Sequence, residues 1–139
     1  MPVSFHIFKD RGLVYVKYEG FARVEETMRT FGEYAQHPDC RPGQKQLVDL
    51  SGVEGFERDY AELMKLQARK ADVFNDGAAQ TLIVYYAPNP EVYEMALLVE
   101  RSWEPFPAVV SLVQQNEADA LALLGQPESS FAELLESAS

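Results

Sequence analysis

The chain has 139 residues, of which 47% are hydrophobic and 24% charged, and its formal net charge is −10. This size and composition are typical of one soluble globular domain. An acidic surface repels nucleic-acid phosphates and anionic lipid headgroups, so nucleic-acid binding is not expected. The single cysteine, Cys40, excludes an internal disulfide, and no stretch approaches the ~18 apolar residues of a membrane span. We expect a cytoplasmic protein without a signal peptide or membrane insertion.

The first part of the chain predicts a β-hairpin, a helix and a short strand. Residues 4–9 (SFHIFK) and 13–20 (LVYVKYEG) alternate apolar and polar side chains around a Gly-containing turn, which is typical of a hairpin. Apolar residues at helical spacing predict a helix over 22–36. Residues 46–51 (QLVDLS) predict a short apolar strand that ends in the segment 49–52.

A long helix and a buried strand come next. The helix is predicted over 57–75, with Tyr60, Met64 and Ala71 on its buried face. Residues 80–87 (QTLIVYYA) are an almost unbroken apolar and aromatic run, which indicates a strand covered on both faces.

Capping residues mark the remaining elements. Asn89 predicts the start of a third helix, and residues 108–113 (AVVSLV) predict the last strand. Asn116 predicts the cap of a short helix. Ser130 and Glu133 form a capping box for a final helical turn or two.

The alternation of strands and helices predicts an α/β fold with a five-stranded, mainly parallel sheet and an N-terminal antiparallel hairpin. If the strands follow chain order, right-handed crossovers place the four helices largely on one face. The other face is then left to the tail, a partner or solvent. We predict a single domain at 1–125, a helical C-terminal tail at 126–139, and a homodimer. The apolar tail residues expected to cover the open face or dock on a second copy are Phe131, Leu134 and Leu135.

The basic residues give no sign of a nucleic-acid site. No Lys or Arg follows Arg101, and the only basic cluster, Lys65, Arg69 and Lys70, lies late in the predicted second helix. Cations at this end of a helix complement its dipole. We therefore interpret the cluster as structural.

Residues 48–53 (VDLSGV) resemble the Asp-Leu-Ser-Gly-Val strand end of STAS domains, the SpoIIAA-like superfamily of anti-sigma-factor antagonists. The element order is similar to that fold over nearly the whole chain. The C-terminal pattern EVYEMALLVERSW, AVVSLV and ALALLG is similar to the STAS/Sec14-like group of small bacterial proteins. The resemblance implies a SpoIIAA-like fold and a non-enzymatic binding or regulatory role that acts through protein contacts.

The resemblance also implies a phosphorylation switch whose serine this chain lacks. In the phosphorylatable members, a partner kinase modifies a serine in Asp-Ser-Ser-Gly at the start of the helix that follows this strand. Here Glu57 stands where the aspartate is expected and Arg58 where the serine is expected. No Ser or Thr lies between Ser51 and Thr81, so an altered alignment does not restore the switch.

The strand-to-helix segment is the candidate site for a partner or ligand. Its candidate residues are Asp49, Glu54, Phe56, Glu57, Arg58, Asp59 and Tyr60. Two interpretations remain open. In one, Glu57 or Asp59 only caps the helix, where a carboxylate is favourable, and Asp49 only bonds loop amides and sets the turn. In the other, the segment contacts a partner or ligand, with Phe56 as the anchor.

The other reactive residues do not indicate an enzyme. His6 and His37 have no further ligands at metal-binding spacing, and Cys40 near His37 lacks an orienting group. We therefore expect no catalytic residue, no metal and no cofactor.

The large aromatic residues of the second half leave one alternative open. Tyr85, Tyr86 and Trp103 are expected in the core, but they also suit a small apolar pocket between the sheet and the third helix. The alternative function is therefore a carrier or sensor of a small apolar ligand or lipid.

Overall fold

The computed structural model describes residues 2–74 and 80–137, and it confirms the predicted α/β fold class. One five-stranded sheet has the strand order β1-β2-β3-β4-β5. The first two strands are antiparallel, and each later neighbour is parallel. The strands are β1 (Val3–Phe8), β2 (Leu13–Ala22), β3 (Lys45–Phe56), β4 (Thr81–Tyr86) and β5 (Val109–Gln114). The α-helices within the described residues are α1 (Val24–Gln36), α2 (Tyr60–Phe74), α3 (Pro90–Ser102), α4 (Glu117–Leu123) and α5 (Phe131–Glu136).

Strand β3 is longer than predicted, so the expected strand end at 49–52 is wrong. Beyond Gly52 it continues beside β2 until Phe56, which pairs with Ala22. The register shifts twice along this stretch, which lets the two strands stay paired. A Cβ on Gly52 would lie 3.0 Å from the carbonyl oxygen of Tyr18. The glycine that suggests a turn in the sequence therefore allows a close strand contact.

Helices α1, α2 and α3 cover one face of the sheet, as the crossover rule predicts. Their buried residues pack on Val14, Val48 and Tyr85, which alternate with residues of the opposite face. Helix α4 lies on that opposite face, unlike the other three predicted helices. The crossover rule does not apply to it, because α4 follows the last strand and connects no strand pair.

Helix α5 also packs on the opposite face. The ring of Phe131 meets Tyr86 edge to face with centroids 4.8 Å apart, and Leu134 is fully buried. Arg11 donates two hydrogen bonds to the carboxylate of Glu128, at 2.7 and 2.8 Å, beside this helix. The tail thus covers the face on which the predicted homodimer depended. The homodimer and the boundary at residue 125 stay predictions.

The helix N-caps predicted at Asn89, Asn116 and Ser130 are confirmed. The side-chain oxygen of Asn89 accepts from the amide of Glu91 at 2.9 Å, and Ser130 accepts from the amide of Glu133 at 3.2 Å. Asn116 likewise caps α4 through the amide of Asp119. These side chains satisfy backbone groups that the first helical turn leaves without partners.

Helix α2 begins at Tyr60, three residues later than predicted, and this changes its buried face. Tyr60 is 52% exposed and Met64 only half-buried, so their predicted burial is wrong, while Ala71 is buried as expected. Leu66 and Phe74 are the large apolar residues that α2 buries. The predicted helix end at residue 75 lies outside the described residues. No helix in the described part of the chain is long and apolar enough to cross a membrane.

Candidate functional site

A cavity of about 230 Å³ lies between the sheet and helices α1, α2 and α3. The sequence left an apolar pocket open as an alternative at this place. The walls come from three strands and three helices, and most of them are apolar. Representative wall residues are Val53, Leu63, Leu66, Val92, Met95 and Leu98.

The cavity opens to solvent beside the segment that joins β3 to α2. Phe56 and Glu57 are half-buried there, and Arg58, Asp59 and Tyr60 are exposed. The structure thus brings five of the seven candidate site residues together at the mouth of one cavity. What they bind stays a prediction.

Two arginines stand at this mouth. The guanidinium of Arg58 lies 4.8 Å from the ring centroid of Phe56, and that of Arg23 lies 4.8 Å from the ring centroid of Phe21. Both arginines are exposed and line the cavity. Stacking on an aromatic ring orders an arginine side chain without neutralising its charge.

Asp59 caps helix α2. Its Oδ1 accepts from the amide of Glu62 at 3.1 Å, and its carbonyl oxygen accepts from the amide of Leu63 at 3.0 Å. The capping interpretation therefore describes Asp59. Glu57 instead continues the sheet, because its amide donates to the carbonyl oxygen of Ala22 at 2.8 Å.

The other two candidate residues lie outside the cavity. Glu54 is exposed, in an open depression beside α3 that Arg101 also lines. Asp49 is 3% exposed and faces the opposite side of the sheet. The side-chain periodicity of a strand separates Asp49 from the cavity, whereas Val48 beside it lines the wall.

Asp49 is held by three neighbours. It accepts a hydrogen bond from the hydroxyl of Tyr15 and one from Lys17 Nζ at 3.3 Å. Its other oxygen accepts from the amide and the hydroxyl of Ser51, at 2.9 and 2.6 Å. Burial, with the Asp49 contact as the second cause, raises the pKa of Tyr15 well above its ordinary range. This arrangement fits the structural interpretation of Asp49.

The inner end of the cavity carries Lys70, which was predicted to complement the helix dipole. The last described turn of α2 contains no basic residue, so the dipole does not explain Lys70. Lys70 lies in the wall of both this cavity and a smaller one of about 50 Å³ beneath α1. Burial lowers its pKa from 10.5 to about 8. The positions 63, 66, 70 and 74 repeat at helical spacing, and this signal could have placed Lys70 on the inner face.

Buried polar groups surround the inner end. The indole N–H of Trp103 donates to the hydroxyl oxygen of Tyr85 at 2.8 Å. Gln67, which is 1% exposed, donates through Nε2 to Ser102 Oγ at 2.9 Å, but its Oε1 accepts no hydrogen bond from the described residues. Burial raises the pKa of Tyr18 to about 12, so this phenol stays neutral.

The reactive residues His6, His37 and Cys40 lie outside the cavity lining. His37 ends α1, and its Nδ1 accepts from the amide of Asp39 at 3.0 Å. Cys40 is half-buried in the following loop. Within residues 2–74 and 80–137, no three His, Cys, Asp or Glu side chains are grouped to hold a metal ion.

Comparisons with known proteins identify the fold. No protein-family model matches the sequence, and no curated protein matches it. The structure of the anti-sigma factor antagonist SpoIIAA in its unphosphorylated form is similar, with a TM-score of 0.51 and 11% identity, over 88% of this chain and 97% of that one. An uncharacterized protein from Shewanella loihica PV-4 is similar with a TM-score of 0.57 and 16% identity, over 88% of this chain and 91% of that one. The fold that the sequence resemblance implied is thus confirmed: this chain has a SpoIIAA-like fold.

Proposed function

We propose that the protein is a non-enzymatic regulatory module that binds a small apolar ligand between its sheet and helices α1–α3. The observation that carries this proposal is the cavity of about 230 Å³ with mainly apolar walls. Close packing is the rule in protein interiors, and an apolar void of this size forfeits dispersion contacts that a ligand restores. Each Å² of apolar ligand surface that leaves water contributes about 25 cal/mol of favourable binding free energy.

The chemistry of the lining supports binding without catalysis. It contains no Ser, Cys or His among the described residues, so the common pairing of a nucleophile with a histidine base is missing from it. The carboxylates of Glu57 and Asp59 stand at the mouth, and Asp59 is engaged as a helix cap. The cavity therefore offers shape and apolar surface more than reactive groups.

Octanol tests the proposal, because it is small, neutral and mostly apolar. We expect saturable binding by isothermal titration calorimetry, and we expect Met95→Trp to weaken it at least tenfold by filling the cavity. Met64→Trp is the matched control, since Met64 is also half-buried but lies outside the lining. Equal octanol binding by both variants, or absence of saturable binding by octanol and by its carboxylate analogue octanoate alike, would contradict the proposal.

A second candidate function is protein contact through the mouth of the cavity. Three observations favour it: Phe21 is 46% exposed, Tyr60 is 52% exposed, and the Arg58–Phe56 stack lies at the same place. Exposed aromatic and arginine side chains are the residue types that dominate protein interfaces. The structural relative SpoIIAA, an anti-sigma factor antagonist, supports a role of this kind. Lacking the phosphorylatable serine, this chain would use ligand occupancy to alter the contact surface.

A photo-crosslinking residue at position 60 tests the contact surface. We expect a discrete cross-linked species in cells with the probe at Tyr60. The probe at Leu123, which is 42% exposed on the opposite side of the sheet, should give none. Identical adducts from both positions would argue against a surface at the mouth. The same experiment also tests the predicted homodimer, because a cross-link between two copies at position 60 gives a species with twice the mass of the chain.

A further inference from the structure

The inner end of the cavity holds one cationic side chain among apolar and aromatic neighbours. Lys70 lies ten residues after Tyr60 on α2, which places it about 15 Å along the helix axis from the mouth. Its Nζ lies 5.7 Å from the ring centroid of Phe31, and the residue lines both cavities. Lys70 as a whole is half-buried, and its side chain faces the interior between α1, α2 and the sheet.

No ionic partner accompanies this group in the described part of the chain. Ion pairs form elsewhere, for example between Lys65 and Glu62 at 3.1 Å on the outer face of the same helix, but no described carboxylate lies within 4.0 Å of Lys70. The titratable groups that line the smaller cavity with Lys70 are the phenols of Tyr18, Tyr34 and Tyr85, which burial keeps neutral. The carboxylates of Glu57 and Asp59 line the larger cavity with it, at the mouth. A buried ammonium without a counterion is unfavourable unless an anion joins it.

Resting on the proposed function, we propose that the ligand is an apolar monocarboxylic acid whose carboxylate pairs with Lys70 and whose hydrocarbon tail extends towards the mouth. The tail then lies along Val53, Leu66 and Met95, and the carboxylate supplies the charge that Lys70 lacks. Because one ammonium balances one carboxylate, a phosphate monoester would leave excess negative charge buried.

Charge and size agree with this class of ligand. The chain is strongly acidic as a whole, but at the mouth Arg23 and Arg58 balance the carboxylates of Glu57 and Asp59, and Lys70 is the only charged side chain of the described lining farther in. The volume of about 230 Å³ lies between that of a benzene-binding cavity, about 150 Å³, and the lower limit for drug-sized ligands, about 300 Å³. A fatty acid of medium chain length suits this space. With a pKa of about 8, Lys70 remains mainly protonated at pH 7.

One neighbour favours a different ligand chemistry. The buried Oε1 of Gln67 accepts no hydrogen bond from the described residues, and the hydroxyl of an alcohol would donate to it. The preference of Lys70 for a carboxylate is expected to dominate, because burying an unpaired charge costs more free energy than burying an unpaired amide oxygen. Octanoate and octanol separate the two chemistries, since they share a hydrocarbon chain and differ in the group at its end.

Calorimetric titration of both probes at pH 7 against the full chain tests the inference. We expect octanoate to bind more tightly than octanol. Lys70→Met should weaken octanoate by roughly 10- to 100-fold while octanol changes less than about threefold, because a buried charge-assisted contact is lost in one case only. Lys65→Met, on the exposed face of α2, should leave both affinities unchanged. Folding of Lys70→Met is checked by its unfolding transition.

Three results would overturn the inference. Octanol binding as tightly as octanoate removes the carboxylate preference but leaves the cavity proposal intact. An equal loss of affinity for both probes in Lys70→Met would show that Lys70 has only a structural role. Failure of both probes to bind overturns the proposed function and this inference together.

Discussion

Replacing Lys70 by methionine is expected to raise the free energy of unfolding at pH 7 by about 3 kcal/mol in the absence of ligand. Burial lowers the pKa of Lys70 from 10.5 to about 8, and each pKa unit corresponds to about 1.4 kcal/mol. Methionine has a similar helix propensity and a similar shape, so the change mainly removes the buried charge. A substitution in a cavity wall that improves stability is typical of a residue kept for binding.

The pH dependence identifies the cause of this effect. The pKa of Lys70 is lower in the folded than in the unfolded chain, so between pH 8 and 10.5 the unfolded state binds more protons. Stability of the wild type therefore rises with pH through this window, and below pH 8 the penalty is fully present. Lys70→Met lacks this rise. The difference between the two proteins should shrink as pH increases from 8 towards 10.5.

Urea unfolding from pH 7 to 9.5 measures this difference. The buried phenols of Tyr18, Tyr34 and Tyr85 are common to both proteins, so subtracting the two curves isolates Lys70. Lys65→Met is the control, and it should change stability by less than about 1 kcal/mol, because its ion pair with Glu62 is exposed. A Lys70→Met protein that is no more stable than wild type at pH 7, or a difference independent of pH, would contradict the assigned environment.

Replacing Phe131 by alanine is expected to lower the free energy of unfolding by about 4 kcal/mol. Phe131 is 5% exposed and packs edge to face on Tyr15 and Tyr86, with centroids 5.8 and 4.8 Å apart. Truncation of a buried phenylalanine to alanine costs about 3–5 kcal/mol, because a cavity remains. The effect is large for a residue near the end of the chain, because α5 closes one face of the sheet.

Leu135→Ala on the same helix is the matched control. Leu135 is 41% exposed, whereas the adjacent Leu134 is fully buried. We expect a loss below about 1 kcal/mol for Leu135→Ala, and about 2–5 kcal/mol for Leu134→Ala. Chemical unfolding of the three variants gives the comparison. Equal stabilities for Phe131→Ala and Leu135→Ala would show that α5 does not pack on the sheet and that the second face of the sheet is open to solvent.

The order and type of the elements could be predicted because their signals are local. Alternation marks the hairpin, and Asn89, Asn116 and Ser130 mark helix starts that the structure confirms through their capping hydrogen bonds. The extent of β3 was not predictable in the same way. Gly52 suggests a turn, but its effect on the backbone depends on β2, whose Tyr18 carbonyl oxygen and Glu19 side chain approach it closely.

The residues at the mouth of the candidate site were predicted, whereas its interior was predicted only as an open alternative, a small apolar pocket between the sheet and the third helix. The segment from Phe56 to Tyr60 follows from the strand-to-helix pattern, and it lies at the cavity mouth. The cavity itself arises from the packing of three helices on the sheet, which no local pattern encodes. Lys70 is a charged residue at a helical position that faces inward, so composition alone assigns it to the surface.

Methyl NMR with bound octanol tests the central claim, a ligand cavity between the sheet and helices α1–α3, most directly. Intermolecular nuclear Overhauser effects should connect octanol protons to the methyl groups of Val53, Met95 and Leu98. None should reach Leu121 or Leu124, which are buried on the opposite face of the sheet. Contacts to Leu121 and Leu124 instead, or no saturable change at any of these methyl groups, would contradict the account.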